Sequence, residues 1–141
     1  MVTIDASVIN KLFLPNEEGH NTAQGLIQRH IQRSQEILVP DLLFYEVANT
    51  LVTKTAIPIT IIIRSLTQLD KLKLLVIHPT TEEFKKIAKF AKTYHVSVYD
   101  ATYVVLAQEK GCNLVTADSK FVAKVKLPFV KYLGDIPLDS N

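Results

Sequence analysis

The chain has 141 residues, a formal net charge of +2 at pH 7 and 48% hydrophobic residues. This length suits one globular domain, so we expect a single domain over residues 1–141, and the hydrophobic share excludes an intrinsically disordered chain. The charge is too small to indicate a nucleic-acid-binding protein by itself, and the single cysteine excludes an intrachain disulfide.

Short apolar runs alternate with longer amphipathic segments, which is typical of stacked βα units around a parallel sheet. We therefore predict an α/β fold. The predicted strands are Val2–Ile4, Ile37–Val39, Leu74–Ile77, Asn113–Val115 and Phe129–Lys131. The predicted helices are Ala6–Leu14, Glu18–Gln35, Leu42–Ala56, Ile59–Lys71, Thr81–Tyr94, Tyr99–Lys110 and a short helix from Ser119. Residues 137–141 are expected to form a loose tail.

No segment has the pattern of a targeting or membrane-spanning sequence. The first residues lack the basic and apolar regions of a signal peptide. The densest apolar stretch, residues 57–63, contains Pro58 and is followed by Arg64, which makes it too short to cross a bilayer. We therefore expect a cytoplasmic protein that does not enter a membrane.

Four acidic residues interrupt or border apolar segments. Asp5 directly follows the first predicted strand and Asp118 closely follows the fourth, and ligands of parallel α/β sheets bind beyond the carboxyl ends of strands. Glu46 lies within a predicted helix and has no basic residue three or four positions further on. Asp100 begins an apolar helical segment. Two of the four therefore belong to one edge of the predicted sheet.

Each acid taken alone also has a purely structural explanation. Asp5 and Asp118 would serve as helix N-caps, and Ser97 with Asp100 fits a capping box. Glu46 would be acceptable as a solvated glutamate. If the fold gathers all four, however, they repel one another, at least one pKa is raised, and a divalent cation is needed to neutralise them. Such a cluster predicts a metal site that acts on phosphate.

Four motifs, spread over nearly the whole chain, carry a resemblance to a known family. They are Ile4-Asp5-Ala6-Ser7-Val8 with Lys11 and Leu14-Pro15, Val39 to Asn49 around Glu46, Tyr99-Asp100-Ala101-Thr102-Tyr103 to Ala107, and Leu114-Val115-Thr116-Ala117-Asp118 with Phe121. In this order the motifs resemble the PIN-domain family and, within it, the VapC-type ribonuclease toxins of type II toxin–antitoxin systems. The resemblance implies a three-layer α/β/α sandwich with a central parallel sheet.

The resemblance also implies a function and a site. Asp5, Glu46, Asp100 and Asp118 would be the catalytic residues, would hold Mg²⁺ or Mn²⁺ in one pocket, and would cut RNA. Many relatives carry a further aspartate just after the fourth motif, and this sequence has none there, which leaves open whether one or two ions bind.

Further residues and partners follow from the same resemblance. Ser7 and Thr116 match positions that support the site by hydrogen bonds, while Lys11 and Lys120 are candidates for phosphate contact. A cognate antitoxin would place a basic side chain in the acidic pocket, and a homodimer is expected. The predicted helices at 18–35 and 42–56 would offer an apolar groove for the antitoxin, although core packing explains their pattern equally well.

Two other functions remain open from the sequence. One is a non-catalytic PIN-like module that binds RNA or protein, which the presence of all four acids disfavours. The other is a structure-specific DNA nuclease, which a short chain without further substrate-gripping domains disfavours.

Overall fold

The computed structural model of the protein describes residues 1–137; the rest of the predicted loose tail, residues 138–141, lies outside the described residues. Within residues 1–137 the centre is a five-stranded sheet in the order β3-β2-β1-β4-β5, and every pairing is parallel. The strands are β1 Val2–Ile4, β2 Ile37–Pro40, β3 Leu75–Ile77, β4 Asn113–Thr116 and β5 Val130–Tyr132. The predicted α/β class is confirmed.

Helices cover the sheet and complete three layers. They are α1 Ala6–Phe13, α2 His20–Ile31, α3 Leu42–Thr53, α4 Ile59–Lys71, α5 Thr81–Tyr94, α6 Val98–Lys110 and α7 Ser119–Val125, followed by a 3₁₀ turn at Leu133–Asp135. Helix α6 packs on β1, β2 and β4, and α5 packs against α6. Helices α1 and α3 pack on each other and contact β4 and β2, respectively. The predicted α/β/α sandwich is confirmed.

Two predicted helices are shorter than expected. The prediction of α2 as 18–35 is wrong at both ends, because Gly19 has a left-handed φ of 90° before the helix and Arg33 has a φ of 59° after it. Helix α3 ends at Thr53 rather than at residue 56, since the segment then extends towards Pro58, and a residue before proline avoids helical angles. The other bounds agree to within one residue.

The middle of α6 is the most completely buried helical segment described. All residues from Ala101 to Ala107 are buried, and this segment is apolar apart from Thr102 and Tyr103. A helix that lies between a sheet and a second helix must bury nearly its whole circumference, which explains why its sequence shows no polar face. Among the helices of residues 1–137, none is long and apolar enough to cross a membrane.

The strand order places two of the acidic residues side by side. Strands β1 and β4 are parallel neighbours, with Ile4 opposite Val115. The Asp5 amide continues this pairing by donating to the Val115 carbonyl at 3.3 Å. Because parallel strands end at the same edge of a sheet, the residues that follow β1 and β4 meet there.

Candidate active site at the carboxyl edge of the sheet

Asp5 and Asp118 both cap helices at this edge. The Asp5 Oδ1 atom accepts a hydrogen bond from the Ser7 amide at 3.0 Å at the start of α1. Asp118 Oδ1 accepts from the Phe121 amide at 3.0 Å at the start of α7. The structural explanation for both acids is therefore confirmed. It does not exclude a second role, since each cap bond occupies one oxygen of a carboxylate.

Ser7 and Thr116 join the two strand ends. The Ser7 hydroxyl donates to Asp5 Oδ1 and accepts from the Ala117 amide at 2.8 Å. The Thr116 hydroxyl, fully buried, lies 3.4 Å from Ser7 Oγ and accepts from the Asp118 amide at 3.1 Å. These bonds fix the loops after β1 and β4 relative to each other, and so fix the two aspartates that the loops carry.

Glu46, on α3, accepts a hydrogen bond from Tyr103, a residue that appeared in the sequence analysis only as part of a motif. The Tyr103 hydroxyl donates to Glu46 Oε1 at 2.7 Å. Burial and the charge of Glu46 raise the pKa of Tyr103, so its phenol stays protonated and remains a donor. Two signals in the sequence point to this role. A tyrosine in an otherwise apolar, buried helix needs a partner for its hydroxyl, and Tyr103 lies three residues after Asp100 on the same helix face.

Asp100 lies in the first turn of α6 and is exposed. The Ser97 hydroxyl caps this helix by accepting from the Asp100 amide at 3.0 Å, which confirms the Ser97 half of the predicted capping box. The charge of Asp100 raises the pKa of both Asp5 and Glu46, and the charge of Asp118 raises the pKa of Asp100. Asp100 is thus close enough to each of the other three acids to interact electrostatically with it.

Burial is the main cause of the raised pKa values. It raises the pKa of Asp5 to about 6 against the hydrogen bonds from Ser7 and Thr116, and repulsion from Asp100 adds a smaller contribution. Partial desolvation also raises the pKa of Glu46, against the Tyr103 hydrogen bond. It raises the pKa of Asp100 too, against the Ser97 hydrogen bond, although Asp100 keeps much of its surface exposed. The sequence-based expectation of a raised pKa is confirmed in direction, although desolvation outweighs the mutual repulsion on which it was based.

The candidate phosphate-binding lysines differ in their surroundings. Lys11 Nζ donates to Glu17 Oε2 at 2.7 Å, whereas Lys120 is exposed beside Asp118. A third lysine, Lys124 on α7, lowers the pKa of Asp100 and donates to the His95 carbonyl at 2.6 Å. No local sequence pattern singles out Lys124, because its proximity to Asp100 depends on how α7 packs beside the start of α6.

The donor chemistry of the four acids suits a hard cation, because carboxylate oxygens are the ligands that Mg²⁺ and Mn²⁺ prefer. Within residues 1–137, however, no group of three or more His, Cys, Asp or Glu side chains is arranged to hold a metal ion.

A family model for the PIN domain matches residues 2–127. The chain is a PIN domain. A curated relative of this PIN domain, Ribonuclease VapC3 from Pyrobaculum aerophilum, is 32% identical over 127 residues, which cover 87% of this chain and 93% of the relative. The resemblance to VapC-type proteins that the four motifs indicated is confirmed by this similarity.

Solved structures with the same fold include three chains of low sequence identity. PAE2754 from Pyrobaculum aerophilum has a TM-score of 0.71 at 20% identity and covers 94% of this PIN domain and 90% of its own chain. VapC20 from Mycobacterium tuberculosis, a Sarcin-Ricin loop cleaving toxin, has a TM-score of 0.65 at 17% identity. The match covers 92% of this PIN domain and 97% of the VapC20 chain. A chain of a toxin–antitoxin complex from Klebsiella pneumoniae has a TM-score of 0.68 at 15% identity. The match covers 96% of this PIN domain and 100% of that chain. At these identities the comparison establishes the fold.

Proposed function

We propose that this PIN domain is a metal-dependent endoribonuclease and the toxin of a toxin–antitoxin pair. In this proposal Asp5, Glu46, Asp100 and Asp118 hold Mg²⁺ or Mn²⁺. The similarity to Ribonuclease VapC3 supports RNA as the substrate class. One observation supports the assignment of the site: Asp5 and Asp118 follow the adjacent parallel strands β1 and β4, and the charge of Asp100 raises the pKa of both Asp5 and Glu46.

The chain's own residues account for the positioning that this chemistry needs. A bound divalent ion would supply an activated water and positive charge for the transition state of phosphodiester hydrolysis. The cap bonds hold Asp5 and Asp118 by one oxygen each, and the Ser7 hydroxyl fixes the distance between their loops. The pKa of Asp5, raised by burial, means that protons compete with a cation for this carboxylate as the pH falls, so metal binding should weaken in acid.

An antitoxin partner fits the same site. An acidic cluster with raised pKa values would accept a basic side chain of another protein in place of the cation. The apolar groove predicted between the helices at 18–35 and 42–56 stays a prediction. A groove of about 710 Å³ is lined instead by residues that include Leu12 and Phe13 of α1, Ile27 of α2 and Leu72 after α4, and its lining contains none of the four acids. The toxin–antitoxin complex that shares the fold supports this proposal at the level of architecture. A homodimer is part of the proposal on the family resemblance alone.

The activity is tested by incubating purified protein with a mixed RNA pool in Mg²⁺, in Mn²⁺ and in EDTA. We expect cleavage with either metal, none in EDTA, and none from Asp5→Asn or Asp100→Asn variants that remain folded by circular dichroism. A matched control is Asp70→Asn, because Asp70 is an exposed acid that pairs with Lys73. Full cleavage by the Asp5 or Asp100 variant would contradict the site assignment.

The alternative left open by the sequence is a non-catalytic module that binds RNA or protein. Titration with Mn²⁺, followed through the electron paramagnetic resonance signal of the free ion, separates the two. Binding that Asp100→Asn weakens at least tenfold supports the enzyme, whereas no binding at millimolar Mn²⁺ supports the module.

A further inference from the structure

We propose that Tyr103 is a positioning residue of the site and acts through Glu46. This inference rests on the proposed metal-dependent function, because it concerns the orientation of one of the four acids. In this inference Tyr103, a buried residue of α6, fixes the orientation of the Glu46 side chain on α3.

Tyr103 joins three elements at one point. Its side chain is 2% exposed, and its hydroxyl donates to Glu46 Oε1 at 2.7 Å. The Ala6 backbone, at the start of α1, and the charge of Asp5 also affect the pKa of Tyr103, so the phenol lies near both residues. The phenol therefore connects α6, α3 and the first residue of α1 directly behind the acidic edge of the sheet.

The choice of acceptor separates positioning from simple packing. A core tyrosine needs only one acceptor for its hydroxyl, and a backbone carbonyl would satisfy it. Here the acceptor is a carboxylate that is itself only partly buried. A glutamate has three rotatable side-chain bonds, and a charge-assisted hydrogen bond to one oxygen restricts all of them. With Oε1 held by Tyr103, it is Oε2 that Glu46 has to offer to a cation.

Hydrogen-bond partners that orient metal ligands have measurable effects when removed. Loss of such a partner typically costs about 10- to 100-fold in metal affinity or activity. The variant Tyr103→Phe keeps the aromatic ring and its packing and deletes only the hydroxyl. Tyr94→Phe is the matched control, because Tyr94 stacks on Phe90 with ring centroids 4.2 Å apart and the ring is retained.

The test is a double-mutant cycle of Tyr103→Phe and Glu46→Gln in the full chain, read by Mn²⁺ titration with electron paramagnetic resonance. We expect Tyr103→Phe to raise the Mn²⁺ dissociation constant about 10-fold or more. We expect Tyr94→Phe to change it less than twofold. In the Glu46→Gln background, Tyr103→Phe should add less than twofold, since its effect passes through the Glu46 carboxylate. RNA cleavage by Tyr103→Phe should recover as Mn²⁺ is raised.

The possible failures are distinguishable. Wild-type Mn²⁺ affinity in folded Tyr103→Phe would overturn the positioning role and leave the proposed function standing. An equal loss from Tyr103→Phe with and without Glu46→Gln would show that the tyrosine does not act through Glu46, which also overturns it. Wild-type affinity in Glu46→Gln would remove Glu46 from the ligand set and would also overturn the positioning role. No Mn²⁺ binding by the wild-type protein would instead overturn the proposed metal-dependent function.

Discussion

At the scale of single residues, Asp5 and Asp118 each cap a helix and, in the proposed function, would also bind a cation with the same side chain. Each caps a helix through Oδ1, and each follows a strand at the edge where the other acids converge. Holding Asp5 ionised in the folded state costs free energy, because burial raises the pKa of this carboxyl to about 6. A side chain kept ionised at neutral pH against desolvation destabilises the fold, and that cost is retained where function requires the charge.

The first prediction concerns this cost. Between pH 3.8 and about 6 the folded state holds a proton on Asp5 more tightly than the unfolded state, so this group lowers stability as pH rises through that window. Two pH units correspond to about 3 kcal/mol. In EDTA at pH 7.5, Asp5→Asn should therefore increase the free energy of unfolding by up to about 3 kcal/mol, and the gain should shrink towards pH 4. Urea unfolding of both proteins at pH 7.5 and pH 4 measures this gain. A variant less stable than the wild-type protein at pH 7.5 would contradict the prediction.

The second prediction concerns Ser7. Ser7→Ala removes the donor to Asp5 and leaves the Ala117 amide without its acceptor. An unsatisfied, partly buried amide costs about 1–3 kcal/mol, so the urea midpoint should fall accordingly. Ser34→Ala is the control, since the Ser34 hydroxyl bonds the Arg29 carbonyl at an exposed turn and its loss should change stability by less than about 0.5 kcal/mol. Equal effects of the two substitutions would argue against the bridging role of Ser7.

At the scale of elements, the helices differ in how they are fixed. Helix α6 is held by burial on almost all sides, whereas α5 lies outside it and depends more on its own ends. Helix α5 begins with a complete capping box, in which Thr80 accepts from the Glu83 amide at 3.2 Å and Glu83 accepts from the Thr80 amide at 2.7 Å. Two acids in its first turn also interact favourably with the helix dipole.

The third prediction follows from this cap. Thr80→Ala removes one half of the capping box and should lower the free energy of unfolding by about 1 kcal/mol. Thr93→Ala serves as the control on the same helix, because the Thr93 hydroxyl only bonds back to the Lys89 carbonyl at an exposed position. Neither change should alter RNA cleavage per folded molecule, since α5 carries none of the four acids. A loss of activity at full folding would link α5 to the site.

Local sequence signals were sufficient for the elements and insufficient for the contacts between them. Apolar runs placed β1 to β5 to within one residue, and residue types placed Asp5 and Asp118 at strand ends. The ends of α2 were missed because the positive φ of Arg33 is set by the packing around a turn, and arginine carries no local signal for it. The contact of Glu46 with Tyr103 was missed because it joins α3 to α6 across 57 positions of the chain.

At the scale of the whole molecule, four negative charges from distant segments are held near one sheet edge. Asp100 interacts with the other three, so the folded state carries repulsion that the unfolded chain does not. Any cation that binds only the folded state removes part of this repulsion and stabilises the domain. The proposed metal site therefore has a thermodynamic signature that is independent of RNA cleavage.

The fourth prediction uses that signature. At a Mn²⁺ concentration 100-fold above the dissociation constant, binding should stabilise the fold by about 3 kcal/mol and raise Tm by roughly 10 °C. Differential scanning calorimetry in Mn²⁺ and in EDTA measures the shift, which Asp100→Asn should reduce to a few degrees. Asp70→Asn, on the exposed end of α4, should retain the full shift. An unchanged Tm for the wild-type protein would weigh against metal binding.

The parallel strand order has a consequence for the time at which the site comes into existence. Thr3 of β1 pairs with Leu38 on one side and with Leu114 on the other, so the central strand leaves the ribosome long before its second neighbour. The loop that carries Asp118 follows later still. A nascent chain, or one released early, therefore holds the acids as separate segments without a common edge. The acidic cluster therefore assembles only after synthesis has passed β4 and β4 has paired with β1.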